Sequence, residues 1–323
     1  MKIPARSTFV AMLAASLFTA AFVAPASTAS PQAAINPGVG GVFRYLIPSL
    51  AAPPASPVPE QPVKPGFAGA LEGFVNNWRT MVSRTQADQP HWITPLVMVT
   101  PRLEQELRYD QFFQSARNGL ATDNFGAGKG LELIPQENIE TIIGIPAFLK
   151  RNMPRNTGGF ADWPFLVKLR LLSADEEHGN YIVTAFLGFS APTGSNVNDS
   201  GHGLFTPTIA FGKGFGDFDF QSTVGVIFPA GGLDRLGMPV AWNTAFQYRI
   251  ARYFWPEVET NYSWQSYGAD TGHNTLYITP GFVIGRIPLH NRIGLTFGAG
   301  YQVAVTKYHN YNHNVILTAR IPF

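Results

Sequence analysis

The sequence predicts an all-β transmembrane protein: an antiparallel up-and-down barrel of about twelve strands, with a Pro-rich N-terminal extension and a short amphipathic helix. Three observations carry this. The last twelve residues, Asn312–Phe323, put Val315, Leu317, Ala319, Ile321 and Phe323 on one face of an extended strand, opposite Asn314, Ile316, Thr318, Arg320 and Pro322. Hydrophobic residues make up 45% of the chain and charged ones 14%, yet no apolar run beyond the N-terminal segment is long enough for a helical span. The 32 glycines and 26 prolines favour many turns. Apolar composition without apolar runs fits strands that alternate between lipid and lumen.

Residues 1–29 read as an export signal, with Lys2 and Arg6 before the apolar Phe9–Val23 stretch and Ser27-Thr28-Ala29 at the cleavage region. Without Lys2 and Arg6 the basic residues number 21, equal to the acidic ones, so nucleic acid is an unsuitable partner. The absence of cysteine excludes disulfides, thiolate metal sites and cysteine nucleophiles. Residues 30–65 are Pro/Ala-rich and read as a linker. Across 66–90, Phe67, Leu71, Phe74, Trp78, Met81 and Val82 share one helical face, weakened by Gly69 and Gly73. This helix is expected at the periplasmic mouth of the barrel, with a lumen plug as the alternative.

The barrel is expected over residues 91–323. Leu103, Leu107, Tyr109 and Phe113 oppose Arg102, Glu104, Glu106, Arg108 and Asp110 on a first strand. Two less regular strands follow, near Gly130–Pro135 and Ile139–Phe148, and then Phe165–Leu171 opposing Lys168 and Arg170. Alternation continues through Tyr181–Phe189, Phe205–Phe211, Phe218–Phe228, Trp242–Ile250, Val258–Trp264, Leu276–Ile284 and Ile293–Tyr301 to the final strand. Short connections (Gly214–Asp217, Ala251–Trp255, Arg286–Asn291) alternate with long polar ones, as periplasmic turns alternate with outer loops.

Five charges on one strand face cannot point into lipid, where each costs about 2–4 kcal/mol. Arg102, Glu104, Glu106, Arg108 and Asp110 are therefore expected to line the lumen, with Lys168, Arg170, Arg249, Glu257, Glu259 and Arg320 further round. Such a network either fills the barrel or filters a passing solute. An open lumen would favour transport, and a sealed one a non-transport envelope protein. Catalysis is not expected. Asp199-Ser200-Gly201-His202 has triad residue types but sits in a Gly-rich outer loop, and no G-x-S-x-G occurs. His202, His273, His309 and His313 approach the outer rim with unspecific spacing, so neither metal nor cofactor is expected. Gly126–Gly130 lacks phosphate-loop spacing and reads as a rim or turn.

ITPLVMVTPRLEQELRYD (Ile93–Asp110), GKGLELIPQEN (Gly128–Asn138), GNYIVTAFLGFSAPTG (Gly179–Gly194) and the strand ending in Phe323 resemble the "MetA-pathway of phenol degradation" family, over roughly Trp92–Phe323. That resemblance implies an outer-membrane barrel of a bacterial envelope and a transporter linked to aromatic catabolism, and carries no functional residues across. The expected function is passive uptake of small solutes, hydrophobic or aromatic ones included. Expected partners are outer-membrane lipid, the solute, and the barrel-assembly machinery through the strand ending at Phe323. A phospholipase-type enzyme is the remaining alternative.

Overall fold

The computed structural model describes residues 66–116, 119–152 and 158–323. The export signal and the Pro/Ala-rich linker lie outside the described residues. The apolar stripe at 67, 71, 74, 78 and 82 forms a helix, α1 (Phe67–Ala87), which ends at Asp88 just before Pro90. Its second half is seated on the barrel. Trp78 Nε1 donates to the Ile134 carbonyl at 2.7 Å, and Val82 packs on Leu103 and Ile134.

The wall is a closed antiparallel barrel of twelve staves, which agrees with the sequence expectation. Four staves are single strands early or late in the chain, β1 (Glu106–Ser115), β8 (Tyr181–Ala191), β9 (Leu204–Phe215) and β16 (His313–Pro322). Four more are β12 (Pro239–Tyr248), β13 (Phe254–Gln265), β14 (Asn274–His290) and β15 (Ile293–Ala304). The others are built from two strands each. They join β2 (Ala121–Gly126) with β3 (Gly130–Gln136), β4 (Ile139–Gly144) with β5 (Phe148–Arg151), β6 (Gly159–Phe160) with β7 (Trp163–Ala174), and β10 (Phe218–Val226) with β11 (Phe228–Pro229). Closure is made by β1 on β16, from Glu106 opposite Pro322 to Ser115 opposite His313. The barrel therefore has no open edge.

Large apolar side chains face outward all round, including Leu107, Val167, Leu187, Ile209, Val258, Leu317 and Ile321, each about two-fifths to half exposed. Tyr181, Phe215, Phe218, Tyr248 and Phe254 ring the end with the short turns, where an aromatic girdle meets the headgroups. The long outer connections contain a one-turn helix, α2 (Leu233–Leu236), and a 3-10 turn at Asn196–Asn198.

Three differences from the sequence expectation have physical causes. The first stave begins at Glu106, because Arg102–Glu104 has no strand partner and lies inside the barrel, while Gln105 keeps one backbone bond, from Phe323 N at 3.1 Å. Strand β14 runs on past Arg286 to His290, with register shifts between Ile284 and Ile287 and between Pro288 and His290 that absorb the extra residues, and the turn shrinks to Asn291 and Arg292. Gly126–Gly130 is no rim. It bends a stave in mid-wall, with Gly126, Ala127 and Gly128 at φ of 87°, 46° and 74°. The neighbouring staves break alongside it, between β4 and β5 and between β6 and β7. Ile145 N to the Lys129 carbonyl (2.9 Å), Ala161 N to the Ala147 carbonyl (2.8 Å) and Trp163 Nε1 to the Gly144 carbonyl (2.7 Å) bridge the breaks.

Candidate functional site

Residues 88–105 pass from α1 into the barrel and fill the half of the lumen nearest the short turns, where Trp92, Ile93, Leu96, Met98 and Leu103 are buried. A backbone running unpaired through a barrel must find hydrogen-bond partners or lose the cost of desolvating each group. The wall charges supply them. Glu257 accepts from Leu96 N at 2.9 Å, and Glu259 from Val97 N at 2.7 Å and Met98 N at 2.9 Å. Glu140 accepts from Glu104 N at 2.5 Å. The cations take the carbonyls. Arg320 donates to Thr94 (2.5 Å) and Pro95 (2.7 Å), Arg108 to Leu96 (2.5 Å), and Lys168 to Arg102 (3.0 Å). Gln221 and Thr184 complete the set on the carbonyls of Ile93 and Pro101.

These same charges balance one another. Arg108 holds Asp110 through two nitrogens, at 2.8–3.1 Å, while Thr318 donates to Asp110 at 2.6 Å. Glu104 is shared by Arg102 at 2.5 Å and Arg286 at 2.9 Å. Lys168 faces Glu140 at 2.9 Å with both side chains fully buried.

Glycines shape the apolar half of the seat. A Cβ at Gly281, Gly298 or Gly300 would stand 2.4, 2.9 or 2.7 Å from Leu96, and one at Gly285 would stand 2.5 Å from Ile93. At Gly212 and Gly214 it would meet the Trp92 ring at 2.5 and 2.6 Å. Ile182, Val283, Trp255 and Ile316 close round Trp92, Ile93 and Leu96.

Of the eleven residues expected in the lumen, Arg102 and Glu104 belong to the internal segment, not to a stave. Glu106, Arg108, Asp110, Lys168, Glu257, Glu259 and Arg320 point inward from staves and are buried. Arg170 is buried at the mouth, where it ties the Thr85 carbonyl to Asn138. Arg249 is a correction: it lies outside the lumen, paired with Asp217 at 2.7 Å in the β9–β10 turn, because alternation ends as β12 runs into its own turn. The helix is expected at the mouth, with a lumen plug as the alternative, and a different segment fills the lumen. The helix remains at the mouth, and the residues after it enter. Sequence reading missed Arg286, which was placed in a turn, and Glu132, Glu140 and Lys129, which sit on the short, bent staves. The signal for the socket was visible: glycines an even number of positions apart (212 and 214, 281 and 285, 298 and 300) fall on one face of a strand and leave it empty there.

Beyond the segment, the outer half of the lumen holds a network of polar side chains. Gln302 donates to Asn261 (2.9 Å) and Thr279 (3.0 Å), Asn261 to Asn243 (3.1 Å), and Tyr277 stacks on Tyr311 at 4.6 Å. Beside the segment, under the bent staves, a cavity of about 160 Å³ is lined by Val99, Ile142, Pro164, Phe165 and Leu166 on one side and by Arg108, Lys129, Glu132 and Lys168 on the other. Lys129 makes one long bond there, to the Val97 carbonyl at 3.4 Å.

The outer loops assemble no triad. Ser200 Oγ donates to the His202 carbonyl, and Asp199 accepts from Gly201 N. His309 is held by the Thr306 carbonyl and Asn312, and His273 stacks on Tyr308. No three metal-ligating side chains converge among the described residues.

No family model matches the chain, and no curated protein does. Among solved structures it is similar to an outer membrane channel from Pseudomonas putida F1, with a TM-score of 0.45 and 13% identity, covering 68% of this chain and 94% of that one. It is similar to the NanC porin, with a TM-score of 0.45 and 10% identity over 67% of this chain and 98% of that one. It is also similar to outer membrane phospholipase A from Escherichia coli, with a TM-score of 0.35 and 10% identity over 70% and 99%.

Proposed function

We propose that the protein is a non-enzymatic, gated passage for small solutes across the bacterial outer membrane, held closed by residues 88–105. The observation that carries this is how the segment is held. It is clamped by side chains of the wall without any strand pairing, so it can leave while the barrel remains closed. The charged residues therefore act as a latch on the gate first, and as a filter once it moves. Hydrophobic or aromatic solutes are the favoured cargo. The cavity beside the segment is lined in part by apolar side chains, Val99, Ile142, Pro164, Phe165 and Leu166. The sequence resemblance to barrels linked to aromatic catabolism points the same way.

The test is flux through the refolded barrel in liposomes, comparing ions, sugars and small aromatics, for the native chain and for Glu257→Gln/Glu259→Gln. The native barrel is expected to pass few ions and the double variant many more, with aromatics passing in both. Absence of flux of any solute in both proteins would overturn transport and leave a structural or partner-binding envelope barrel, a reading favoured by the filled lumen.

A further inference from the structure

The helix α1 is longer than its seat. Among the described residues its contacts with the barrel and the internal segment run from Trp78 to Thr85: Trp78 on Ile134, Val82 on Leu103, Arg84 with Glu137 at 3.3 Å, and the Thr85 carbonyl with Arg170. Residues 67–77 extend about 16 Å further at 1.5 Å per residue. Over that length Phe67, Leu71 and Phe74 are 85%, 51% and 66% exposed. They continue the stripe that Trp78 and Val82 press on the barrel rim. The aromatic girdle of Tyr181, Phe215, Phe218, Tyr248 and Phe254 stands at the same end of the barrel as this helix.

A second feature stands beside the first. Arg292, in the β14–β15 turn, donates to the Arg79 carbonyl at 3.0 Å and to Ser83 Oγ at 2.5 Å, which sets its guanidinium beside the helix turn that carries the exposed Arg79. Neither has a carboxylate within ion-pair distance among the described residues. Two like charges carried on neighbouring turns, next to an apolar helix face, suit an anionic headgroup with acyl chains alongside.

We propose that the N-terminal half of α1 binds the periplasmic leaflet: Phe67, Leu71 and Phe74 enter the acyl boundary, and Arg79 with Arg292 hold the phosphate of a phospholipid. The helix then fixes the start of the internal segment against the membrane as well as against the barrel. This holds whether or not the lumen conducts.

The cysteine-free chain makes the test direct. Leu71→Cys and Asn76→Cys, on opposite helix faces, are labelled with a polarity-sensitive fluorophore. The full mature protein is then refolded into vesicles of phosphatidylethanolamine and phosphatidylglycerol. Shallow nitroxide lipids are expected to quench the label at 71 at least threefold more than that at 76, with aqueous iodide giving the reverse order. Equal iodide access at both positions would overturn the membrane contact, and so would Leu71→Cys chains that cross-link to each other while escaping the lipid quencher. In native mass spectrometry, Arg79→Gln/Arg292→Gln is expected to lower retained phosphatidylglycerol several-fold. Unchanged retention would overturn the phosphate assignment.

Discussion

Glu257 and Arg320 hold the same short run of backbone from two different staves: the Glu257 carboxylate accepts the Leu96 N–H at 2.9 Å, and Arg320 donates to the Pro95 carbonyl at 2.7 Å. The two polar ends of a single peptide group, the Pro95–Leu96 amide, are thus gripped by opposite charges. The lumen charges satisfy donors and acceptors that a strand partner would satisfy elsewhere, which is why they are both numerous and mixed in sign.

Arg320→Met removes one side of this grip. It leaves the Thr94 and Pro95 carbonyls without their donors in a site sealed from water, at about 1–3 kcal/mol for each group. The barrel, closed by its ladder, is expected to persist. Trypsin is then expected to cut after Arg102, a residue 1% exposed in the native protein, and peptide mass spectrometry reads the cut. An uncut segment at equal protease would show that the remaining contacts suffice.

The socket gives a paired test. At Gly300 a Cβ would stand 2.7 Å from Leu96 Cδ1 and 3.2 Å from Thr279 Cγ2, so the nearest clash is with a side chain of the internal segment. Gly300→Ala is expected to destabilise the protein by about 1–3 kcal/mol through overpacking. Leu96→Ala in the same chain removes the clashing atom, so the double variant is expected to be more stable than the sum of the two losses. Urea unfolding in vesicles measures the coupling, and strict additivity would show that Leu96 does not occupy the socket in the membrane.

How far the sequence reaches is clear from these residues. Alternation revealed the staves and the inward direction of Glu106, Arg108, Asp110, Lys168, Glu257, Glu259 and Arg320, because a charge in lipid is expensive wherever it occurs. It extended the first strand back to Arg102, since a buried extended segment and a stave share the same period of two. It also placed Arg249 inside, because periodicity does not mark where a stave gives way to its turn. What faces each inward charge is a relation between residues far apart in the chain, 161 positions for Leu96 and Glu257, and no local pattern encodes it.

The β7–β8 turn should report on pH. Glu176 accepts from His91 N at 2.6 Å and lies 2.8 Å from its ring, which ties the entrance of the internal segment to the wall. Partial burial pushes the Glu176 carboxyl up, but the bonds from His91 outweigh it and hold it below its ordinary value. A depressed acid contributes stability above its unfolded pKa, near 4.3, and that contribution is lost as pH falls through the folded value. Beside it, the bond from His178 holds Asp175 down, and Asp175 raises His178 in turn. The histidine's contribution is present below about pH 6.5 and disappears as pH rises through its higher folded value. The turn is therefore best held between the two limits. Hydrogen exchange of residues 88–93 is expected to be slower in the native chain than in Glu176→Gln at pH 6, with the difference vanishing near pH 3. A difference that persists at pH 3 would remove Glu176 from the latch.

Lys168 and Glu140 distinguish a clamp from a simple filler. Both side chains are fully buried, 2.9 Å apart, and each also serves the internal segment, at the Arg102 carbonyl and at Glu104 N. Lys168→Met strands the Glu140 charge and is expected to cost about 3–5 kcal/mol, as breaking a buried pair does. Lys168→Met/Glu140→Leu removes both charges, so the wall itself recovers. The Arg102 carbonyl and Glu104 N–H are then still orphaned, and the segment is held less firmly. The double variant is thus expected to unfold close to the native midpoint in urea while conducting ions that the native barrel excludes. Recovery of stability together with a silent lumen would make the pair ordinary packing and shift the closing role to the remaining clamp residues, Glu257, Glu259 and Arg320.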